Sequence, residues 1–351
     1  MAIGSCTNSS VKDMRLVAAI LKGRRVHPDV TLGIAPGSRQ VLQMLARDGA
    51  LADLLDSGAR LMESACGFCI GNSFSPKSGG VSLRTNNRNF EGRSGTKDAQ
   101  VYLVSPEVAA VAAITGRFVD PREAGLPYPR LDEVDSFMVD DGMMIFPSAE
   151  GRATEIFRGP NIGEPPRNQA LPASLDGEVT IKVGDKITTD HIMPAGARLK
   201  YRSNVPQYAQ YVFENVDSTF AARCLENKGR GRHNLILAGE SYGQGSSREH
   251  AAMCPMYLGV KAVVAKSFER IHAANLVNFG IVPLVLADPA DYDRLQSGAP
   301  VSADNWREAL AAGRPVELHS EGSIIPCHYQ LSERQVNIVL AGGLLNFATR
   351  N

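Results

Sequence analysis

The sequence predicts an α/β protein of two domains joined by a long arm. Three observations carry that prediction. The chain has 351 residues, enough for about two domains of ordinary size, and 44% of them are hydrophobic, enough for real cores. Short apolar runs of strand type alternate with helical periodicities, the pattern of a parallel sheet covered by helices. Between two such stretches, residues 121–176 lose all periodicity and fill with Pro and Gly.

The elements follow in order. VTLGIAP (30–36) reads as a buried strand, and SRQVLQMLARDG as a helix ended by Gly49. VYLVS (101–105) is again a strand, and PEVAAVAAITG is a helix with Pro at its start, where the missing N–H costs nothing. These make a first domain over 1–120. After the arm, a second domain over 177–351 opens with the strand EVTIKVGD. It continues through NLILAGE, a helix after Ser247, KAVVAKSF, a helix in RIHAANLVNFG, and IVPLVLAD.

Composition excludes several function classes. Lys+Arg and Asp+Glu are equal at 37 each, which leaves no basic field for a nucleic-acid backbone. No run approaches the roughly 18 apolar residues of a membrane span, and MAIGSCTNSS is no signal peptide. The expectation is a soluble, cytoplasmic protein acting on a small molecule, with no membrane partner. Six cysteines in so long a chain do not make a disulfide framework. Cys224, Cys254 and Cys327 sit in apolar surroundings and read as packing residues.

The other three carry chemistry. Cys66 and Cys69 form a C-x-x-C flanked by glycine, and Cys6 lies in the loop-like GSCTNSS. C-x-x-C alone is open among zinc, a redox dithiol and an iron–sulfur cluster. Structural zinc needs four ligands, and only three motif-like thiols and His27 are at hand. A redox dithiol makes no use of a third cysteine. Three thiolates suit a cubane with one open iron, set against the plainer reading of unrelated buried thiols.

Arg88 and Arg93 lie in the Asn- and Gly-rich NNRNFEGR, which suits a loop closing over a carboxylate, because guanidinium binds carboxylate bidentately. Two solvated arginines on a turn are the alternative. In GESYGQGSSREH, Ser246 and Glu249 form an S-x-x-E capping box before an apolar run. The same placement sets a serine in the positive field of a helix N-terminus, which favours an alkoxide able to act as a base. Asp190 and His191 in TTDHIMPAG are either a proton relay or an N-cap Asp with a surface His.

Taken together, IGSCTNSS, ACGFCIGN, NNRNFEGRSG, ITTDHIMPAG, GESYGQGSSREHAAMCP and SFERIHAANLVNFGIVPL resemble the aconitase family, in the family's order and over nearly the whole chain. Phe68 departs from the proline many aconitases carry between the two cysteines, without touching a ligand. The resemblance implies a three-layer α/β/α domain with a mostly parallel sheet, followed by a smaller mixed β/α swivelling domain. It implies a [4Fe-4S] cluster with one open iron on Cys6, Cys66 and Cys69. Arg88, Arg93, Ser247 and Arg248 would bind substrate, with Asn87 beside the cluster and Arg202 on a third carboxylate. Ser246 would be the base, with catalytic roles for Asp190 and His191 and a structural one for His250. The implied reaction is that of a hydro-lyase of the tricarboxylic acid cycle, converting citrate to isocitrate through cis-aconitate. Homoaconitase and 3-isopropylmalate dehydratase share most of these motifs, and Arg202 argues for the tricarboxylate. A cluster-less, RNA-binding relative is disfavoured by the zero net charge. Two further α/β domains would precede or surround Cys6 in the family. The chain is thus expected to be a fragment that folds as two domains and needs those N-terminal domains for turnover.

Overall fold

The computed structural model describes residues 1–89, 91–245 and 247–349, with the side chains of Phe68 and Arg152 left aside. Two compact units emerge, Met1–Ala153 and Thr154–Asn351.

The first unit is a five-stranded, wholly parallel sheet. Its strands are β1 (Ala2–Gly4), β2 (Gly33–Ala35), β3 (Arg60–Leu61), β4 (Val81–Arg84) and β5 (Gln100–Leu103), in the order β3-β2-β1-β4-β5. Helices α1 (Val11–Leu21), α2 (Arg39–Arg47), α3 (Ala50–Asp56) and α4 (Pro106–Thr115) accompany it. Their ends follow local rules. Ser10, Ser38 and Ser105 each accept an N–H of the first turn, and Gly116 closes α4 in the left-handed conformation at φ 71°. α1 packs against α2, α3 and α4, so the four helices form one layer joined to the sheet through α4 on β1. The three-layer expectation needs correction here. The connections 62–80 and 85–99 hold no α-helix among the described residues, because their cysteine-, Asn- and Gly-rich sequences have no helical period.

The second unit is a closed seven-stranded barrel. β6 (Leu175–Val183), β7 (His233–Ala238), β8 (Val260–Ala265) and β9 (Val282–Leu286) run parallel side by side. β10 (Pro300–Ala303), β11 (Val316–Ser320) and β12 (Ser323–His328) add antiparallel pairs and close the ring from β9 back to β6. Helices α5 (Thr189–Ile192), α6 (Val205–Tyr208), α7 (Phe220–Gly229), α8 (His250–Tyr257), α9 (Arg270–Asn278), α10 (Trp306–Ala311), α11 (Glu333–Ala341) and α12 (Leu344–Ala348) surround it. Alternation splits β7 between two cores. Leu235 and Leu237 join the cluster around Trp306, while Ile236 and Ala238 join the one around Phe213 and Phe220. This unit was expected to be the smaller; it is the larger, because the last fifty residues complete the barrel. Among the described residues no helix is long and apolar enough to cross a membrane.

Candidate active site

In the first unit, Cys6 follows the central strand β1, Cys66 and Cys69 follow β3, and Arg88 and Arg93 follow β4. The candidate residues therefore leave the carboxyl ends of parallel strands. The chain places β2 and β3 on one side of β1 and β4 and β5 on the other, and parallel sheets bind ligands at such a switch.

Cys6 sits in an exposed turn beside Ser5, whose φ is 79°. Asn8 Nδ2 fastens this turn to the Thr85 carbonyl at 2.5 Å. The Cys6 thiol is held below its ordinary pKa, first by the Thr7 hydroxyl at 3.6 Å, with smaller help from Ser5, its own backbone and the Arg88 charge. Cys66 is exposed and Cys69 buried. Cys69 Sγ accepts from Arg93 Nη2 at 3.3 Å, and its carbonyl accepts from Asn86 Nδ2 and Ser94 Oγ at 3.4 Å each. Gly71 makes this fold of the loop possible. At φ 76° a Cβ would lie 2.1 Å from the Ser94 carbonyl oxygen. Among the described residues no three His, Cys, Asp or Glu side chains are arranged to hold a metal ion. Cys224, Cys254 and Cys327 are fully buried, and burial raises each thiol's pKa, that of Cys327 to about 12.

In the second unit, the loops after β6 and β7 lie side by side. Thr189 N donates to the Gln244 carbonyl at 2.8 Å, and Gly243 N and Gln244 N both reach the Ile187 carbonyl. Arg248 Nη1 pairs with Asp190 Oδ1 at 2.6 Å and also donates to the Met193 carbonyl at 3.2 Å. His191 caps its own short helix. Its Nδ1 accepts from Thr188 N at 3.0 Å while its N–H donates to Thr188 Oγ1 at 3.1 Å, so the ring's proton resides on Nε2. Ser247 is exposed beside Arg248, and Arg202 is exposed at the end of a 3₁₀ turn, Gly196–Tyr201. Ser246 lies outside the described residues.

α8 starts at His250, and its N-cap Glu249 has no side-chain cap bond; the capping box expected between Ser246 and Glu249 falls on a residue outside the described ones. Asn87, expected beside the cysteines, is exposed; its neighbour Asn86 is the buried asparagine on Cys69. Two other residues went unread. Arg84, 1% exposed at the end of β4, donates to the Phe74 carbonyl at 2.7 Å and to Ser82 Oγ at 3.0 Å. Its pKa is lowered by burial and partly restored by the charge of Cys69. His272 packs its ring under Gly243, edge-on to Tyr242 at 5.2 Å. Arg84 stands in an ordinary-looking strand and carried no sequence signal. An Arg ending a strand that faces a cysteine loop is the pattern to look for.

Comparison with known proteins adds the last element. Residues 1–116 match the model of the aconitase family (aconitate hydratase), and residues 183–289 that of the aconitase C-terminal domain. A mitochondrial aconitate hydratase of Gracilaria gracilis is 32% identical over 98% of this chain and 50% of its own length. A mitochondrial homoaconitase of Candida albicans is 34% identical over 81% of this chain and 40% of its own. A mitochondrial homocitrate dehydratase of Saccharomyces cerevisiae is 28% identical over 98% of this chain and 51% of its own. The chain spans about half the length of the curated relatives it matches. With both family models matched in order, across loops that leave the carboxyl ends of the strands in each unit, the chain belongs to the aconitase family.

Proposed function

We propose that this chain works as part of an aconitase-type hydro-lyase, removing and adding water on a hydroxy-tricarboxylate. The observation that carries this reading is the Asp190–Arg248 pair at 2.6 Å. Asp190 and the Met193 carbonyl take one guanidinium nitrogen, which aims the remaining N–H edge beside Ser247 for a substrate carboxylate. Relatives named aconitate hydratase, homoaconitase and homocitrate dehydratase support the reaction class.

The donor set of the first unit suits a [4Fe-4S] cluster on Cys6, Cys66 and Cys69. It has three thiols, that of Cys6 held below its ordinary pKa, and Arg93 donates to Cys69 Sγ at 3.3 Å. When bound, such a cluster with one open iron supplies a Lewis acid for the substrate's hydroxyl and a carboxylate. Arg88 and Arg93 would hold a second carboxylate, and Asn86 Oδ1, buried with no partner, offers an acceptor to a hydroxyl there. Arg202 would take the third carboxylate, which favours citrate and isocitrate over isopropylmalate. Ser246 would withdraw the proton from substrate carbon, aided by the positive field of the helix that follows.

The test is anaerobic turnover of citrate, homocitrate and isopropylmalate by the reconstituted chain mixed with the N-terminal half of an aconitase relative. Citrate should be preferred. Ser246→Ala should still bind citrate while turnover falls by several orders of magnitude, as for loss of an activated base. Near-normal turnover would move the base to Ser247, and silence on all three substrates would sink the reading.

A further inference from the structure

The residues that open α8 bond to two segments of the chain. Arg248 points to the 190–193 segment, as described above. His250 reaches a different segment, its Nε2 lying 2.8 Å from the carbonyl oxygen of Arg202. A carbonyl only accepts, so Nε2 carries the proton and donates. The ring has little freedom to leave. It stands edge-on to Tyr208 with centroids 5.3 Å apart, and Tyr208 is buried with its hydroxyl donating to the Pro194 carbonyl at 2.9 Å.

The other end of this bond is an exposed turn. None of the residues of the Gly196–Tyr201 turn is buried. Its start is anchored by Arg198, which forks onto Glu214 at 2.6 and 3.0 Å and lies 4.0 Å over the Tyr211 ring. Arg202 itself is exposed at the far end, and the bond from His250 ties its backbone to the helix that follows Ser246, Ser247 and Arg248. Around it, Tyr201 stacks on Tyr211 with centroids 5.6 Å apart, Arg202 N donates to the Leu199 carbonyl at 3.1 Å, and the Ser203 carbonyl accepts from Gly163 N at 2.9 Å. Loss of the His250 bond would leave these holds in place and release the Arg202 carbonyl alone.

We propose that His250 is a positioning residue for substrate specificity, a clamp that holds Arg202 in register with the serine loop so that a third carboxylate is recognised. This rests on the reading of Arg202 as a carboxylate-binding residue. His250 touches no substrate; it acts through the Arg202 backbone. A misplaced guanidinium forfeits the bidentate geometry that tells a tricarboxylate from a diacid. Glutamine, with an amide nitrogen at a similar reach, can replace the donor; alanine cannot.

Two measurements on the full chain test the clamp. The first is amide hydrogen exchange over residues 199–205. His250→Ala should speed it about tenfold, the scale of one lost hydrogen bond, while His250→Gln stays near the parent. Unchanged exchange in the alanine variant overturns the proposal whatever the ligand. The second is calorimetric binding of citrate and of 2-isopropylmalate. His250→Ala should lose about tenfold in citrate affinity, the same single-bond scale, and leave 2-isopropylmalate within about twofold. His250→Gln should recover most of the loss, and His250→Ala should add nothing in an Arg202→Ala background. Equal losses for both ligands, or a loss that persists without the Arg202 side chain, overturns the specificity role. If Arg202→Ala alone leaves citrate preference intact, the reading of Arg202 fails, and exchange still decides whether the clamp exists.

Discussion

In the second unit, three candidate side chains near the serine loop are held by the chain's own bonds, while Ser247 and Arg202 stand exposed. Arg248 is gripped by Asp190 and Met193, His191 by Thr188, and His250 by Arg202 and Tyr208. In the first unit, Cys6 and Cys66 are exposed, and Cys69 alone of the three thiols is buried, under Arg93. Both sets of residues leave the carboxyl ends of parallel strands, so topology does not make the difference. Chemistry does. Guanidinium, imidazole and carboxylate groups satisfy one another and can be arranged by protein alone. Thiols make weak hydrogen bonds, and a metal-binding site gains much of its order from the metal it binds.

The largest effect that tests this contrast is loss of the cluster. Cys6→Ser, Cys66→Ser or Cys69→Ser should each abolish the iron–sulfur absorbance of the anaerobically reconstituted chain. Cys224→Ser and Cys254→Ser should leave it intact, since burial keeps those thiols protonated and inaccessible. Amide exchange in residues 184–195 should match the parent in the Cys6, Cys66 and Cys69 variants, whose changes lie in the other unit. An exchange change there, or a cluster that needs Cys224 and not Cys6, would break the contrast.

How much was legible in the sequence follows the same division. Strands such as NLILAGE and the helix of Pro106 to Gly116 announce themselves, because burial pattern and caps are local. Closure of the barrel was not read. β10, β11 and β12 are four to six residues long, two of them contain proline, and only their pairing with β6 and β9 makes them strands. Cys66 with Cys69 and Arg88 with Arg93 stood out by spacing, while the roles of the other site residues came with the family resemblance. Partners set by tertiary contact, such as Arg84 with Phe74 or His250 with Arg202, were not visible.

A middle-sized effect concerns the platform under the serine loop. The His272 ring is 2% exposed, and among the described residues neither its nitrogens nor the Tyr242 hydroxyl beside it has a hydrogen-bond partner. Burial lowers the His272 pKa from 6.5 to about 4, so the folded unit holds it neutral. Between those values the unfolded chain binds a proton that the folded chain refuses. Stability of the second unit should therefore fall as pH drops through 6.5 and level off below about 4, by on the order of 3 kcal/mol. Denaturant titrations across this range check it, and His272→Leu should flatten the curve. A wild-type curve already flat from pH 6.5 to 4 would show that the ring is solvated or paired, and that the serine loop is less dry underneath than Gly243 packing implies.

The smallest effect separates support from chemistry at His191. Its Nδ1 accepts the Thr188 N–H at 3.0 Å, and that bond closes the N-terminus of a helix only four residues long. His191→Ala should thus cost about 1 kcal/mol, the usual scale of a lost cap, read from the denaturation midpoint. His191→Gln keeps an acceptor at the position where capping boxes favour glutamine and should recover most of that stability. Turnover then discriminates. If His191 only shapes the loop that presents Asp190 to Arg248, the glutamine variant regains activity together with stability, and the serine half is ordered by protein bonds alone. If glutamine restores stability while turnover stays depressed by orders of magnitude, the Nε2 proton is being used on substrate, and His191 belongs with Ser246 among the catalytic groups.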